Sequence, residues 1–198
     1  MTDSKIMLGD CRTELDSLPT ESVQSCITSP PYWGLRDYGM GDDQLGLESS
    51  PEKYVASMVD VFRAVKRVLK DDGTLWLNLG DSYCGTGHKG DHKDPKHKEG
   101  RNSQAHAINN KVEGLKSKDL VGIPWRVAFA LQADGWYLRQ DIIWHKPNPM
   151  PESVKDRCTK SHEYIFLMSK SPKYYFNHEK IQERQVSNSG SFNGSPNG

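Results

Sequence analysis

The feature that most restricts the fold of this chain is a helical pattern that leads directly into a strand pattern, SSPEKYVASMVDVFRAVKRVLKDDGTLWLNLG (residues 49–80). Ser50 can cap the helix and Pro51 fits its first turn, while Asp72 and Gly73 are expected to end it. Apolar side chains recur at helical spacing along one face: Val55, Met58, Val59, Phe62, Val65 and Leu69. The following segment TLWLNLG is apolar and bounded by glycines, which predicts a strand. Together they predict a layered α/β domain.

The segments on either side continue the alternation of strands and helices. Before the helix, the sequence predicts strands at Ser4–Met7 and Val23–Ile27, with a polar helix between them at Arg12–Leu18. After it come a helix in VGIPWRVAFALQADG, a strand in YLRQDIIWHKP, and a closing hairpin from HEYIFLMSK and KYYFN. This order predicts an α/β sandwich whose sheet is mostly parallel and carries an antiparallel C-terminal hairpin at its edge.

Composition limits the size, charge and compartment of the molecule. At 198 residues the chain fits one domain that can bury a core. The formal net charge is zero, so any contact with nucleic acid must come from a local patch. The cysteines lack CxxC spacing, and neither a secretory leader nor a membrane-spanning run accompanies them: Cys11, Cys26, Cys84 and Cys158. These features predict reduced thiols in a cytoplasmic protein without membrane contact.

Residues 85–119 interrupt the alternation and are predicted to form a mobile basic insertion. They hold eight Lys or Arg residues against five Asp or Glu residues, and very few apolar side chains. Several of their cations could neutralise phosphates, with an ordinary solvated loop as the alternative: Lys89, Lys93, Lys96, Lys98, Arg101 and Lys111. A zinc site is not predicted, because four nearby side chains fit no common finger spacing: Cys84, His88, His92 and His97. The proposed division is a catalytic part at residues 1–184 and a disordered tail at 185–198.

The stretch QSCITSPPYW (residues 24–33) ends a strand abruptly and then presents two aromatic side chains. Pro30 and Pro31 cannot donate to a sheet and hold φ at about −65°, so the strand must stop before them. In a parallel α/β sheet, ligands bind outside the carboxyl ends of the strands. The turn that holds Ser29 and Tyr32 is therefore a candidate site, with an ordinary packed turn as the alternative.

The tetrapeptide Ser29-Pro30-Pro31-Tyr32 resembles the catalytic motif of the DNA amino-methyltransferases, which carry Asp, Asn or Ser before Pro-Pro and an aromatic residue after it. The resemblance covers residues 6–177 and includes LGDCRTELDSLPTESVQSCITSPPYWGLRDYG, LKDDGTLWLNLGDSY and WYLRQDIIWHKPNPMPESVKDRCTKSHEYIFLMSKS. It implies a Rossmann-like methyltransferase fold, S-adenosylmethionine as cofactor, double-stranded DNA as substrate and a cognate restriction endonuclease as partner. The serine form is similar to the cytosine-N4 branch, and the adenine-N6 branch is the alternative.

The resemblance gives each residue of the motif a chemical role. An exocyclic amino nitrogen is a weak nucleophile because its lone pair is delocalised into the ring. Oxygens that accept both of its N–H hydrogens favour a pyramidal nitrogen, and these would be Ser29 Oγ and the Pro30 carbonyl. The two prolines keep the acceptors aimed, which is preorganisation for the transition state. Tyr32 would offer a flat face to a base that has been extruded from the duplex.

Residues outside the motif also acquire roles from the resemblance. Asp10 would approach the adenine end of the cofactor, with an N-cap of the Arg12 helix as an equal alternative. Residues after the motif would wall the base pocket or anchor a loop: Trp33, Arg36 and Tyr38. The end of a later strand would face DNA or the base, or form a solvated strand end: Trp144, His145, Lys146 and Asn148. The insertion at residues 85–119 is where the family reads its target sequence.

One part of the family pattern is missing from the printed sequence. Enzymes with this permuted order carry Asp-Pro-Phe-x-Gly-x-Gly after a later strand, and the 198 residues contain no such motif. The chain is therefore expected to be the catalytic part of a longer enzyme and to bind S-adenosylmethionine weakly by itself. A DNA-binding fragment without catalysis is the alternative from another class. A methyltransferase of protein glutamine is disfavoured, because such enzymes prefer Asn before Pro-Pro.

Overall fold

The structure is a computed structural model that describes residues 4–39, 41, 44–85 and 112–183. Its helices and strands are α1 (Cys11–Asp16), β1 (Val23–Thr28), α2 (Pro51–Val68), β2 (Leu69–Leu79), α3 (Ile123–Ala133), β3 (Tyr137–His145) and β4 (His162–Ser169). A short 3-10 turn follows at His178–Ile181. Some predictions fall outside the described residues: Lys89, Lys93, Lys96, Lys98, Arg101, Lys111, His88, His92, His97 and the tail at 185–198.

The strands form one mixed sheet in the order β1-β2-β4-β3. β1 is parallel to β2, and β4 is antiparallel to both of its neighbours, β2 and β3. β1, β2 and β3 therefore run in one direction and end at the same edge of the sheet, where β4 begins. This carboxyl edge is marked by Thr28, Leu79, His145 and His162. It brings together four chain segments that are far apart in sequence.

The core lies between the sheet and the helices α2 and α3, which contact each other and β2. Ser50 caps α2 as predicted, because its side chain accepts a hydrogen bond from Lys53 N at 3.3 Å. The apolar face of α2 is buried with alternate residues of β2: Met58, Phe62, Val65, Leu75, Leu77 and Leu79. Burying each such side chain contributes roughly 1.5–3 kcal/mol to folding.

The residues of β2 between these leucines point to the opposite face of the sheet. Trp76 and Asn78 are half-buried there, and Ile27 of β1, which lies opposite Trp76, is 81% exposed. Because side chains alternate along a strand, Asn78 shares this face with Ile165, its partner on β4. The polar Asn78 therefore lies near the carboxyl edge on the face turned away from the leucine core.

The predicted strand at Ser4–Met7 is wrong. These residues have no regular secondary structure, and Ile6 and Leu8 are 95% and 97% exposed. Within the described part of the chain, β1 pairs with β2 on one side only, so no strand is paired with residues 4–7. An extended segment needs a partner for its backbone groups, and β propensity alone does not supply one.

The predicted end of α2 at Asp72-Gly73 is also wrong. The helix ends at Val68, and Leu69 already has extended backbone angles and pairs with Val23 of β1. Leu69 is fully buried, so the chain turns into the sheet there, and the polar residues up to Asp72 continue as an exposed part of β2. The local helix signals would allow α2 to continue for one more turn, but pairing of Leu69 with β1 ends the helix earlier.

The predicted C-terminal hairpin is wrong in its second half. β4 is antiparallel as expected, but it lies inside the sheet between β2 and β3, and KYYFN forms no strand. Both hydrogen-bonding edges of β4 are occupied by β2 and β3, so no edge remains for another strand. The segment turns back instead, and Tyr175 N donates to the Asp72 carbonyl at 3.0 Å.

The last part of the predicted insertion is packed rather than mobile. Cys84 exchanges backbone hydrogen bonds with residues 118 and 119, both at 2.8 Å, and Val112 is buried in the core. Residues 112–119 therefore belong to the folded body, and the predicted insertion is correspondingly shorter at this end.

Asp81 holds the start of α3, and its replacement by alanine is expected to destabilise the fold by about 0.5–2 kcal/mol. Its Oδ1 accepts from the backbone N–H groups of Ser82, Gly122 and Ile123, each at 2.9 Å. The helix has no capping side chain of its own, because its N-cap residue is a glycine in the left-handed region. Urea unfolding would measure the change. Asp60→Ala, which removes an exposed ion pair with Arg63, should change stability by no more than about 1 kcal/mol; an equal loss in the two variants would contradict the capping role.

Candidate active site

The predicted motif lies at the carboxyl edge, as the strand-end argument requires. Ser29 directly follows β1, Gly80 follows β2, Lys146 follows β3, and Glu163 is the second residue of β4. These four positions surround the side chain of Tyr32. The sheet topology therefore collects polar groups from four segments around one aromatic residue.

A network of hydrogen bonds joins the two hydroxyl groups of the motif to β2. Ser29 Oγ lies 3.1 Å from Tyr32 Oη and 3.1 Å from Asn78 Oδ1. Tyr32 Oη donates to Asn78 Oδ1 at 2.7 Å and lies 3.4 Å from Glu163 Oε2. Glu163 forms an ion pair with Lys146. Hydroxyl, amide and carboxylate groups therefore meet within a few ångströms.

The protonation states in this network follow from burial and charge. Burial raises the pKa of Tyr32, and the nearby Glu163 carboxylate raises it further, so the phenol keeps its hydrogen at neutral pH. Burial also acts to raise the pKa of Glu163, but the hydrogen bond and the positive charge of Lys146 outweigh it and lower that pKa. The site thus holds a neutral phenol next to an ionised carboxylate.

The Pro-Pro turn is held in place by α2. Tyr54 is fully buried, and its hydroxyl donates to the Pro31 carbonyl at 2.9 Å. Gly46 lies against the turn at a φ of 94°, and a Cβ there would come within 3.1 Å of Pro31 Cβ and of the Tyr32 carbonyl. A helix side chain and a close backbone approach therefore add to the stiffness that the prolines supply.

Gly80 leaves room for the ring of Tyr32. A Cβ at this position would lie 2.5 Å from both Cδ2 and Cε2 of Tyr32, far inside van der Waals contact. The ring thus packs directly on the backbone at the end of β2. A glycine is required here for the space that it leaves, since its φ is not in the left-handed region.

Two open cavities adjoin the motif, and Tyr32 lines both. The first has a volume of about 300 Å³ and is lined by Ser29, Pro30, Pro31, Tyr32, Leu35, Arg36 and Tyr38. The second has a volume of about 260 Å³, and its lining includes Gly80, Asp81, Ser82, Lys146, His162 and Glu163. The motif residues therefore face open space.

The three residues predicted after the motif have different surroundings. The indole of Trp33 is 3% exposed and donates to the Glu48 carbonyl at 2.9 Å, which supports the alternative of a loop anchor. Arg36 and Tyr38 are exposed beside the first cavity, and Gln44 bridges their backbone groups at 2.8 and 2.7 Å. Arg36 and Tyr38 therefore present exposed side chains at the first cavity, whereas Trp33 is buried in the core and borders the second cavity.

The remaining predicted residues also differ in whether their side chains are engaged by other residues or exposed. Asp10 is the N-cap of α1, with Oδ1 accepting from Arg12 N at 2.8 Å, and its pKa is lowered to about 2, first by the side-chain hydrogen bond from Arg12. Both of its oxygens are engaged by Arg12, so the capping alternative has direct support. Trp144, His145 and Asn148 are exposed around the end of β3. Of that group, Lys146 alone is joined by a described ion pair to the hydroxyl network.

Sequence reasoning missed three residues of the site: Gly80, Asn78 and Glu163. Asn78 was visible as a polar residue within the apolar run LWLNL, and Glu163 as a carboxylate at the start of a strand. A buried or half-buried polar residue in an apolar strand needs a partner, and that requirement was the available signal.

Metal-binding and membrane-spanning features are not found in the described part of the chain. In the ranges that the structure covers, no group of three or more His, Cys, Asp or Glu side chains is arranged to hold a metal ion. None of the helices in those ranges is long and apolar enough to cross a membrane. All four cysteines are free, and Cys84 is buried.

Comparison with known proteins gives a family and several relatives. Residues 23–195 match the model of the N6_N4_Mtase family, described as DNA methylase. The chain is 57% identical over 179 residues to the type II methyltransferase M.SmaI of Serratia marcescens, covering 90% of this chain and 60% of that protein. It is 54% identical to the type II methyltransferase M.Cfr9I of Citrobacter freundii, covering 90% of this chain and 58% of that protein. The chain therefore spans less than two thirds of the length of these relatives.

Solved structures with a similar fold were found as well. One is PvuII DNA methyltransferase (cytosine-N4-specific), with a TM-score of 0.60 and 21% identity over 88% of this chain and 51% of that one. Another is a protein of Thermus thermophilus described as a putative DNA modification methylase, complexed with S-adenosyl-L-methionine, with a TM-score of 0.55 and 22% identity over 87% of this chain and 56% of that one. At these identities the likeness concerns the fold, and it confirms the predicted Rossmann-like α/β class.

Proposed function

Because this chain belongs to the DNA methylase family whose model matches residues 23–195, we propose that it forms the catalytic part of a DNA methyltransferase that uses S-adenosylmethionine. The family membership agrees with the resemblance of the Ser-Pro-Pro-Tyr motif. The site observation that carries the proposal is the pair of hydroxyl groups on Ser29 and Tyr32, which lie 3.1 Å apart at the carboxyl edge beside an open cavity. Such an edge is where α/β sheets bind ligands.

The proposed substrate is an exocyclic amino group in double-stranded DNA, with N4 of cytosine preferred to N6 of adenine. The serine at position 29 and the relative named as cytosine-N4-specific support this preference. Ser29 Oγ and the Pro30 carbonyl would accept the two amino hydrogens, and the stiff turn would keep these oxygens aimed. Tyr32 would stack on the extruded base, with Arg36 and Tyr38 beside it. Trp144, His145, Lys146 and Asn148 would contact DNA from the end of β3.

The cofactor would supply the methyl group when bound. The first cavity adjoins Ser29 and is bounded by apolar and aromatic side chains, which suits the placement of a methyl donor beside the amino group. A contact of Asp10 with the cofactor remains a proposal, and Asp10 would have to release Arg12 to make it. From the family resemblance, we also propose a cognate restriction endonuclease as a functional partner, with both proteins in the cytoplasm.

The substrate proposal is tested by incubating the full-length protein with S-adenosylmethionine and unmethylated DNA and analysing the nucleosides by mass spectrometry. We expect N4-methyldeoxycytidine. N6-methyldeoxyadenosine in its place would select the adenine alternative. DNA binding in a mobility-shift experiment without either product would select the DNA-binding fragment and overturn the enzymatic proposal.

A further inference from the structure

The amide of Asn78 has a fixed orientation within the hydroxyl network. Its Nδ2 donates to the Tyr164 carbonyl of β4 at 3.0 Å. The amide oxygen must therefore point the other way, where it accepts from Tyr32 Oη at 2.7 Å and from Ser29 Oγ at 3.1 Å. The backbone of a neighbouring strand thus decides which end of Asn78 meets the two hydroxyl groups.

An amide oxygen can accept hydrogen bonds and cannot donate them. The single hydrogen of the Tyr32 hydroxyl is nearer to Asn78 Oδ1, at 2.7 Å, than to Glu163 Oε2, at 3.4 Å. The hydrogen of Ser29 goes to Asn78 Oδ1 or to Tyr32 Oη, each 3.1 Å away. In either arrangement both hydroxyl hydrogens are used inside the network, so lone pairs are left to face the cavity.

We propose that Asn78 is a positioning residue that turns the hydroxyl groups of Ser29 and Tyr32 into hydrogen-bond acceptors toward the cavity. This inference rests on the proposed function, in which the amino group of the substrate donates hydrogen bonds from its N–H groups to oxygen acceptors. A serine hydroxyl that is free to rotate could equally donate to a ligand. When the direction of the Ser29 hydrogen is fixed before the substrate binds, the hydroxyl does not have to rotate during the reaction.

Glu163 and Lys146 assist this arrangement from the other side of Tyr32. Glu163 Oε1 pairs with Lys146, and its Oε2 lies 3.4 Å from Tyr32 Oη, farther than Asn78 Oδ1 at 2.7 Å. The Asn78 side chain also lowers the pKa of Glu163 by hydrogen bonding, after the larger effects of burial and Lys146. Among the described hydrogen bonds, Asn78 is thus joined to Ser29, to Tyr32 and to the backbone of β4.

The test compares Asn78→Leu, which removes both amide functions at similar size, with Asn78→Asp, which keeps an acceptor oxygen. In the full-length protein we expect Asn78→Leu to lower kcat by about 10- to 100-fold, as for a misaligned catalytic group, with the KM for DNA within about twofold of wild type. Asn78→Asp should recover most of this kcat above the pKa of the new carboxyl group and lose it below, because a protonated acid can donate to the hydroxyls. Thr74→Val is the control, because Thr74 lies on the same strand and face as Asn78. Its Oγ1 forms a hydrogen bond with Ser25 Oγ at 3.2 Å, away from the motif.

A second measurement decides the inference without relying on catalysis. An acceptor that binds the phenolic hydrogen stabilises the neutral phenol, so Asn78→Leu should lower the pKa of Tyr32 and Asn78→Asp should raise it. Carbon-13 NMR of ring-labelled tyrosine, assigned with Tyr32→Phe, reports that pKa in the folded protein. An unchanged Tyr32 titration in both variants would overturn the inference, even if the wild-type protein failed to methylate DNA. Equal kcat values for wild type, Asn78→Leu and Asn78→Asp would overturn it while leaving the methyltransferase proposal intact.

Discussion

Ser29→Ala is expected to lower the kcat for DNA methylation by about 10²- to 10³-fold, the size of effect seen when one preorganised hydrogen-bonding group is removed from an active site. The alanine removes the acceptor at the end of β1 and leaves the turn and Tyr32 in place. Because Ser29 is exposed at the cavity and its hydroxyl contacts only Tyr32 and Asn78 among the described hydrogen bonds, the fold should be unaffected. Initial-rate measurements with radiolabelled S-adenosylmethionine would give the two rates.

The control for Ser29→Ala is Ser25→Ala, on the strand β1 that leads to Ser29. Ser25 Oγ lies 3.2 Å from Thr74 Oγ1, away from the carboxyl edge, so its loss should leave kcat within about twofold, as expected away from the reacting groups. Fluorescence of 2-aminopurine at the target position would show whether the base is still extruded in Ser29→Ala. Extrusion with wild-type kcat would mean that Ser29 is not an acceptor in the reaction.

Gly80→Ala is the substitution with the second-largest expected effect. Its Cβ would be 2.5 Å from the Tyr32 ring, so the ring must move away from β2. That movement would separate Tyr32 Oη from Asn78 Oδ1, now 2.7 Å apart, and displace the face offered to the base. A displacement of about 1 Å is enough to cost about 100-fold in rate. We expect a loss of that size in kcat, with less 2-aminopurine fluorescence on binding.

Gly9→Ala serves as the matched control for Gly80→Ala. A Cβ at Gly9 would also meet another side chain, 2.3 Å from Glu14 Oε1, but that atom is the end of a flexible carboxylate that can move aside. The activity of Gly9→Ala should therefore equal that of wild type. A double variant, Gly80→Ala with Tyr32→Phe, should lose little beyond Gly80→Ala alone if both changes act through the Tyr32 hydroxyl. Independent, additive losses would contradict that explanation.

The elements with strong periodicity were predictable from local sequence. α2 and α3 begin where Ser50 and Pro124 placed them, because helix hydrogen bonds and caps join residues a few positions apart; the end of α2, which pairing with β1 decides, was not predicted. The position of β4 between β2 and β3 was not predictable in that way. Strand order depends on pairing between distant segments, so HEYIFLMSK has the same local pattern at an edge as inside a sheet.

The candidate site likewise has one part that the local sequence determined and another that only the tertiary structure decided. The sequence by itself determined the turn from Ser29 to Tyr32, because two adjacent prolines stop a strand and stiffen the chain through covalent geometry. Tertiary structure alone decided that Gly80, Asn78 and Glu163 surround Tyr32. Asn78 and Glu163 lie on β2 and β4, Gly80 directly follows β2, and strand register sets which of these groups meet. Local chemistry therefore supplied the reactive turn, and long-range pairing supplied the groups that orient it.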